Sequence, residues 1–218
     1  MRGFSVQTTT IQMTGVTANT TLLTMASNSR IEDLSLKLTS SGHYTLKGIV
    51  FGGTTTTDSK LRTCVLTVDN SGATAGGTSN VYGIECSGSG SFSSNSFSYN
   101  CLKGTTVNVL SNGSGNKRGV IITAANVVTT RDFNIYVAPP TTTSSGTGSY
   151  VGVETADPAN VGSIQMRSTT IGVVLPAGGS TYTASDILQT NPSTVTNPAY
   201  LASAGIQIGP GTDLITKT

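Results

Sequence analysis

Tryptophan is absent from the 218 residues, histidine occurs once, and only 10% of the chain is charged. Long amphipathic helices need charged solvent faces, so this scarcity argues against a helical bundle and for an all-β chain rich in Thr, Ser and Asn. The 12 basic and 10 acidic residues form no runs, which leaves no footprint for a nucleic-acid partner. No apolar stretch approaches the roughly 20 residues of a membrane span, and Met1-Arg2-Gly3-Phe4 does not read as a signal peptide. Three cysteines, Cys64, Cys86 and Cys101, cannot all pair internally; as buried free thiols they suit synthesis in a reducing compartment. Low net charge together with 36% hydrophobic content also disfavours a wholly disordered chain. The sequons at Asn19 and Asn112 are expected by chance in a sequence this rich in Ser and Thr.

What is present is a repeat. Leu34-Ser35-Leu36-Lys37-Leu38 places apolar residues at alternate positions, and the same register returns as Phe4-Val6-Thr8, Cys64-Leu66-Val68, Phe97-Tyr99-Cys101, Phe133-Ile135-Val137 and Thr169-Ile171-Val173. That alternation is the signature of a half-buried strand. A second pattern, a Gly followed by alternate apolar residues, recurs in step as Gly48-Ile49-Phe51, Gly83-Ile84-Cys86, Gly119-Val120-Ile122 and Gly152-Val153-Thr155. Two strand types returning in the same order make each repeat one circuit of a coil, with turns of varying length between them. An antiparallel sandwich offers no reason for that order.

The repeat predicts a single all-β domain: a right-handed parallel β-helix (solenoid) of about six circuits over residues 1–175, with 176–218 as a less regular β/loop extension. The segments 201–208 and 214–216 fit the register poorly and are expected to form a differently folded end. Strands reach both termini, so either the sequence is a piece of a longer protein or other subunits cover the ends of the stack.

A hydrolytic β-helix needs two or three carboxylates converging on neighbouring circuits. The acids do not cluster in that way. Asp33 and Asp132 share a column three circuits apart. Glu85 and Glu154 share the other column two circuits apart, roughly 10 Å with Ile121 between them, and are the weak catalytic candidates; the alternative is two solvated acids on an outward face. His43 sits in a turn and reads as a solvent-facing loop residue. No metal-ligand spacing and no phosphate-cradling loop is visible, so neither a metal nor a cofactor is expected. Two residues before each first-pattern strand lie Arg2, Glu32, Arg62, Asn95, Arg131 and Arg167, which stacking would align along one edge. The row reads either as a binding ladder, Arg2, Arg62, Arg131 and Arg167, for an acidic polysaccharide or charged partner, or as an ordinary surface charge ladder.

The coil pattern, especially Ser29-Arg30-Ile31-Glu32-Asp33-Leu34-Ser35-Leu36 and Thr130-Arg131-Asp132-Phe133-Asn134-Ile135, resembles the right-handed β-helix repeats of the pectin-lyase-like superfamily over residues 1–175. That scaffold carries lyases, hydrolases, adhesins and viral appendages alike, and its catalytic acids and Arg-Lys lyase pairs find no matching positions here. The texture of the chain, with the run from Ile206 to Leu214, also resembles β-helical proteins of large DNA viruses. The repeat, the sparse charge and the missing acid cluster point to a non-enzymatic structural or attachment module with glycan binding and end-capping subunits or domains as its partners, and the second resemblance implies a virion or surface assembly as its setting. A polysaccharide lyase or hydrolase is the alternative, and a plain cytosolic scaffold the third.

Overall fold

The computed structural model describes residues 3, 9–52, 59–88, 90–91, 102–124, 126–140, 148–156, 163–175, 188–190, 206–208 and 213–217. Within them the regular structure is all β, and every strand pairing is parallel. Strands visit three curled surfaces in turn. The first holds β3 (Arg30–Glu32), β6 (Lys60–Arg62), β10 (Leu102–Lys103), the leading halves of β13 (Asn126–Ala138) and β15 (Ser163–Val174), and β17 (Ile206–Ile208). The short β9 (Gly90–Ser91) also joins β13 there. The second holds β1 (Thr10–Met13), β4 (Ser35–Thr39), β7 (Val65–Asn70), β11 (Thr106–Ser111), the trailing halves of β13 and β15, and β18 (Asp213–Lys217). Because β13 and β15 run through the bend between them, these two surfaces form one 12-stranded sheet. The third is a separate six-stranded sheet of β2 (Thr20–Met25), β5 (Leu46–Phe51), β8 (Val81–Cys86), β12 (Asn116–Ile122), β14 (Ser149–Thr155) and β16 (Leu188–Thr190). The arrangement is compatible with a β-helix or solenoid.

All three surfaces turn their apolar residues onto one core. Leu36, Leu66, Val107, Ile135 and Ile171 stack in register from the second surface, Ile31, Leu61 and Leu102 from the first, and Ile49, Ile84, Val120 and Val153 from the third. Each is fully or almost fully buried, and truncating one such Leu or Ile to Ala costs about 2–5 kcal/mol.

The glycine pattern has a steric cause. A Cβ on Gly48, Gly83 or Gly119 would lie 2.5, 2.6 or 2.6 Å from the carbonyl oxygen of the next glycine in the row, Gly83, Gly119 or Gly152. Those glycines let neighbouring strands of the third surface approach.

The bend between the first two surfaces has its own recurring chemistry. Asp33, Thr63, Gly104, Asp132 and Ser168 occupy the same place after five successive strand segments of the first surface, with φ of 56°, 50°, 58°, 49° and 45°. The left-handed conformation costs a non-Gly residue roughly 1–2 kcal/mol, least for Asp. Bonds between circuits hold it: Asp33 N–H donates to Arg62 O (3.2 Å), Thr63 N–H to Lys103 O (2.9 Å) and Gly104 N–H to Arg131 O (3.0 Å). The next, inward-facing side chain then donates back to the carbonyl two residues earlier. Cys64 Sγ reaches Arg62 O (3.1 Å), Thr105 Oγ1 reaches Lys103 O (3.1 Å) and Thr169 Oγ1 reaches Arg167 O (3.0 Å). Leu34 and Phe133 fill the same position by packing alone.

Two of the six repeats depart from the register expected. Beside Leu36 and Leu38 lie Ile11 and Met13, and between β7 and β13 the inward pair is Val107 and Val109. Phe4-Val6-Thr8 and Phe97-Tyr99-Cys101 lie outside the described residues. Downstream, β17 and β18 add to β15 in parallel, Ile206 beside Ile164 and Leu214 beside Ile171, so these segments keep the register they were expected to lose.

Candidate functional site

The outward side of the first surface carries the cations. Glu32, Arg62, Lys103, Arg131 and Arg167 are direct neighbours in register, one per strand, at the residue before the left-handed bend. Lys103, not Asn95, fills the fourth place, and Arg2 lies outside the described residues. Arg30 and Lys60 form a shorter row beside them. Inward-facing Ile31, Leu61 and Leu102 fix the orientation, since alternate residues of a strand face opposite sides.

Carboxylates meet this row only at places. Glu32 pairs with Arg30 and, at 3.9 Å, with Arg62 Nη1; Arg131 Nε lies 3.6 Å from Asp132, and both side chains are about half exposed at 54% and 53%. No ion pair to Lys103 or Arg167 occurs among the described residues. Arg62 Nε is buried without a hydrogen-bond partner. Arg30, Glu32, Asp33, Arg62, Thr63, Lys103 and Gly104 line a shallow cleft of about 320 Å³. Like charges opposite one another on neighbouring strands destabilise by up to about 1 kcal/mol a pair, and the steps from Arg62 to Lys103, Arg131 and Arg167 are three such pairs.

Glu85 and Glu154 do share a column of the third surface, with Ile121 between them. They are not solvated acids. Lys47 Nζ lies 2.7 Å from Glu85 Oε2 and 2.9 Å from Oε1, and Arg118 Nε pairs with Glu154 Oε2. The environment is nearly dry: Glu85, Ile121 and Val151 are buried, and Arg118 spends further donors on Lys117 O, Ser149 O and Ser149 Oγ. Each cation reaches from its own strand to the acid on the next, so two separate ion pairs replace a shared carboxylate pair.

His43 is solvent-exposed in a bend, as expected, and its ring makes contacts there. Its Nε2 is 2.9 Å from Thr74 Oγ1 and its Nδ1 3.5 Å from Ser79 Oγ, and the ring covers Gly77, where a side chain would collide with it. It ties one turn to the turn of the next circuit. Cys64 and Cys86 are buried free thiols, and burial pushes the Cys64 thiol above its ordinary range; Cys101 lies outside the described residues. Among the described residues no three His, Cys, Asp or Glu side chains gather as a metal site would need, and no helix is long and apolar enough to cross a membrane.

One buried group escaped the sequence reading. Lys117 takes the inward position held by Val81 and Tyr150 on the flanking strands and is fully buried. Its ammonium donates to Gly113 O and Gly115 O, the latter at 3.1 Å, and sits 4.8 Å from the centre of the Tyr150 ring. Burial, with Arg118 alongside, pushes the amine down to about 8, and burial pushes the Tyr150 phenol up to about 12. Tyr150 Oη donates to Ser111 O at 2.8 Å. The available signal was the glycine register: Lys117 stands two residues before Gly119, where Leu46 and Val81 stand before Gly48 and Gly83.

Comparison of the chain with protein-family models, with characterised proteins and with solved structures finds no match. The parallel strand order is compatible with solenoids in general; the expected likeness to pectin-lyase-like proteins rests on the sequence repeat alone, and that to viral β-helices on the sequence texture alone.

Proposed function

We propose that the chain is a right-handed parallel β-helix of about six circuits, continued by a less regular C-terminal segment, and that it serves as a non-enzymatic structural or attachment module of a virion or comparable surface assembly. Strand types that recur in fixed order around one apolar core support the coil. The virion setting is drawn from the sequence texture, and neighbouring domains or subunits are proposed to cover the ends of the stack.

The observation that carries the functional half is the separate pairing of Glu85 with Lys47 and of Glu154 with Arg118. Glycoside hydrolysis needs one carboxyl group to protonate the leaving oxygen and another to activate water or attack. Carboxylates clamped by neighbouring cations on a nearly dry surface are poorly placed for either task. The test is to incubate the purified chain with a panel of neutral and acidic polysaccharides and to follow new reducing ends and unsaturated products. No turnover is expected; turnover that disappears in Glu85→Gln or Glu154→Gln would overturn the reading.

A further inference from the structure

We infer that the row Arg62, Lys103, Arg131 and Arg167 is a binding track for an acidic polysaccharide carrying one carboxylate or sulfate per sugar, laid across the strands along the direction in which they stack. This deepens the attachment reading and rests on it.

Three observations converge on the track. First, backbone register places the four cations on consecutive strands, so their spacing is set by the sheet at about 4.8 Å and the row spans about 14 Å. Second, the row is not self-neutralised. Among the described residues Arg62 meets Glu32 at 3.9 Å and Arg131 meets Asp132 at 3.6 Å, and neither Lys103 nor Arg167 has a carboxylate partner. A sheet that keeps like charges opposite one another sacrifices stability, and sites that break a local rule of folding are where function is expected. Third, every cation precedes a left-handed backbone bend, and the bends after Arg62 and Lys103 are fixed by hydrogen bonds to a carbonyl of the next strand, which limits what ligand binding must order.

The charge interval selects the ligand class. Nucleic acid carries a phosphate per ~3.4 Å of each duplex strand, denser than the row, and single strands are held by aromatic platforms. None of the described residues lining the cleft is aromatic. A sugar ring with its linkage is about as long as the strand interval, so a glycan charged once per ring presents one anion to each circuit. Guanidinium forks at three of the four places suit bidentate contact with carboxylate or sulfate.

The experiment is calorimetric titration of the intact chain with alginate, with a glycan sulfated once per sugar, with neutral dextran and with single-stranded DNA, in low and moderate salt. Binding is expected to one or both acidic glycans, the two arms telling carboxylate from sulfate, with affinity falling as salt rises and no binding to dextran. The Lys103→Glu/Arg167→Glu variant should bind at least about tenfold more weakly, while Lys37→Glu, at an exposed cation on the second surface, should bind as the parent does. Lys103→Gln should weaken binding without lowering the melting temperature, which separates ligand contact from a structural role. Parental affinity in the double variant, absence of binding to both acidic glycans, or tighter binding of DNA would overturn the inference. Any of these would leave the non-enzymatic reading standing, whereas glycan turnover would overturn that reading and not the track.

Discussion

Lys117 shows how one side chain sets a pH dependence. Its amine ordinarily titrates near 10.5 and is held at about 8 in the fold, so between those values the unfolded chain binds more protons than the folded one. Stability therefore rises with pH from 8 towards 10 and is lost as pH falls back across that window, reaching its floor below 8; the shift corresponds to about 3 kcal/mol as an upper figure. Above about pH 10 the slope reverses, because the Tyr150 phenol keeps its proton in the fold after the unfolded chain has lost it. Lys117→Met is expected to raise stability at pH 7 by about 1–3 kcal/mol and to flatten the rise between pH 8 and 10, measured by urea unfolding across that range. Thr63 offers a second residue-scale prediction. A β-branched residue at φ 50° is strained, and Thr63→Gly should gain about 1 kcal/mol in a thermal melt despite the greater freedom of the unfolded chain. A loss of stability there would mean that the Thr side chain contributes more than its strain costs.

At the scale of the strand, the glycine row is the most demanding feature. Gly83→Ala or Gly119→Ala forces a methyl group against the carbonyl of the next circuit and against Val107 or Ile135, so either change should cost about 2–3 kcal/mol by denaturant unfolding. This row was legible in the sequence because nothing else fits it. The second-surface strands at Leu36, Leu66, Ile135 and Ile171 were legible too, since their alternation is strong. The strand at Val107 was not: Thr105-Thr106-Val107-Asn108-Val109 alternates more weakly than Phe97-Tyr99-Cys101, and loops of unequal length hide the offset. A better guide was the left-handed bend. Lys103-Gly104 repeats the cation and turn-tolerant residue of Arg131-Asp132, and reading that pair would have put Lys103 in the ladder in place of Asn95. The ion pairs of Glu85 and Glu154 were beyond sequence reasoning, because a cation on the neighbouring strand becomes a partner only once register and burial are known.

Across the whole molecule, the three surfaces handle charge differently. The third surface pairs Lys47 with Glu85 and Arg118 with Glu154 and buries Lys117 against backbone carbonyls, the second packs the longest apolar columns, and the first sets a row of like charges towards solvent. The parallel stacking has a mechanical consequence. Backbone hydrogen bonds join each strand only to its neighbours in the sheet, so a load applied along the stacking direction falls on one inter-strand seam at a time and peels the sheets open. A load applied along the strands shears many bonds at once. A polymer held on the cation row would pull in the weaker of these directions, across the pairing of the two long strands β13 and β15.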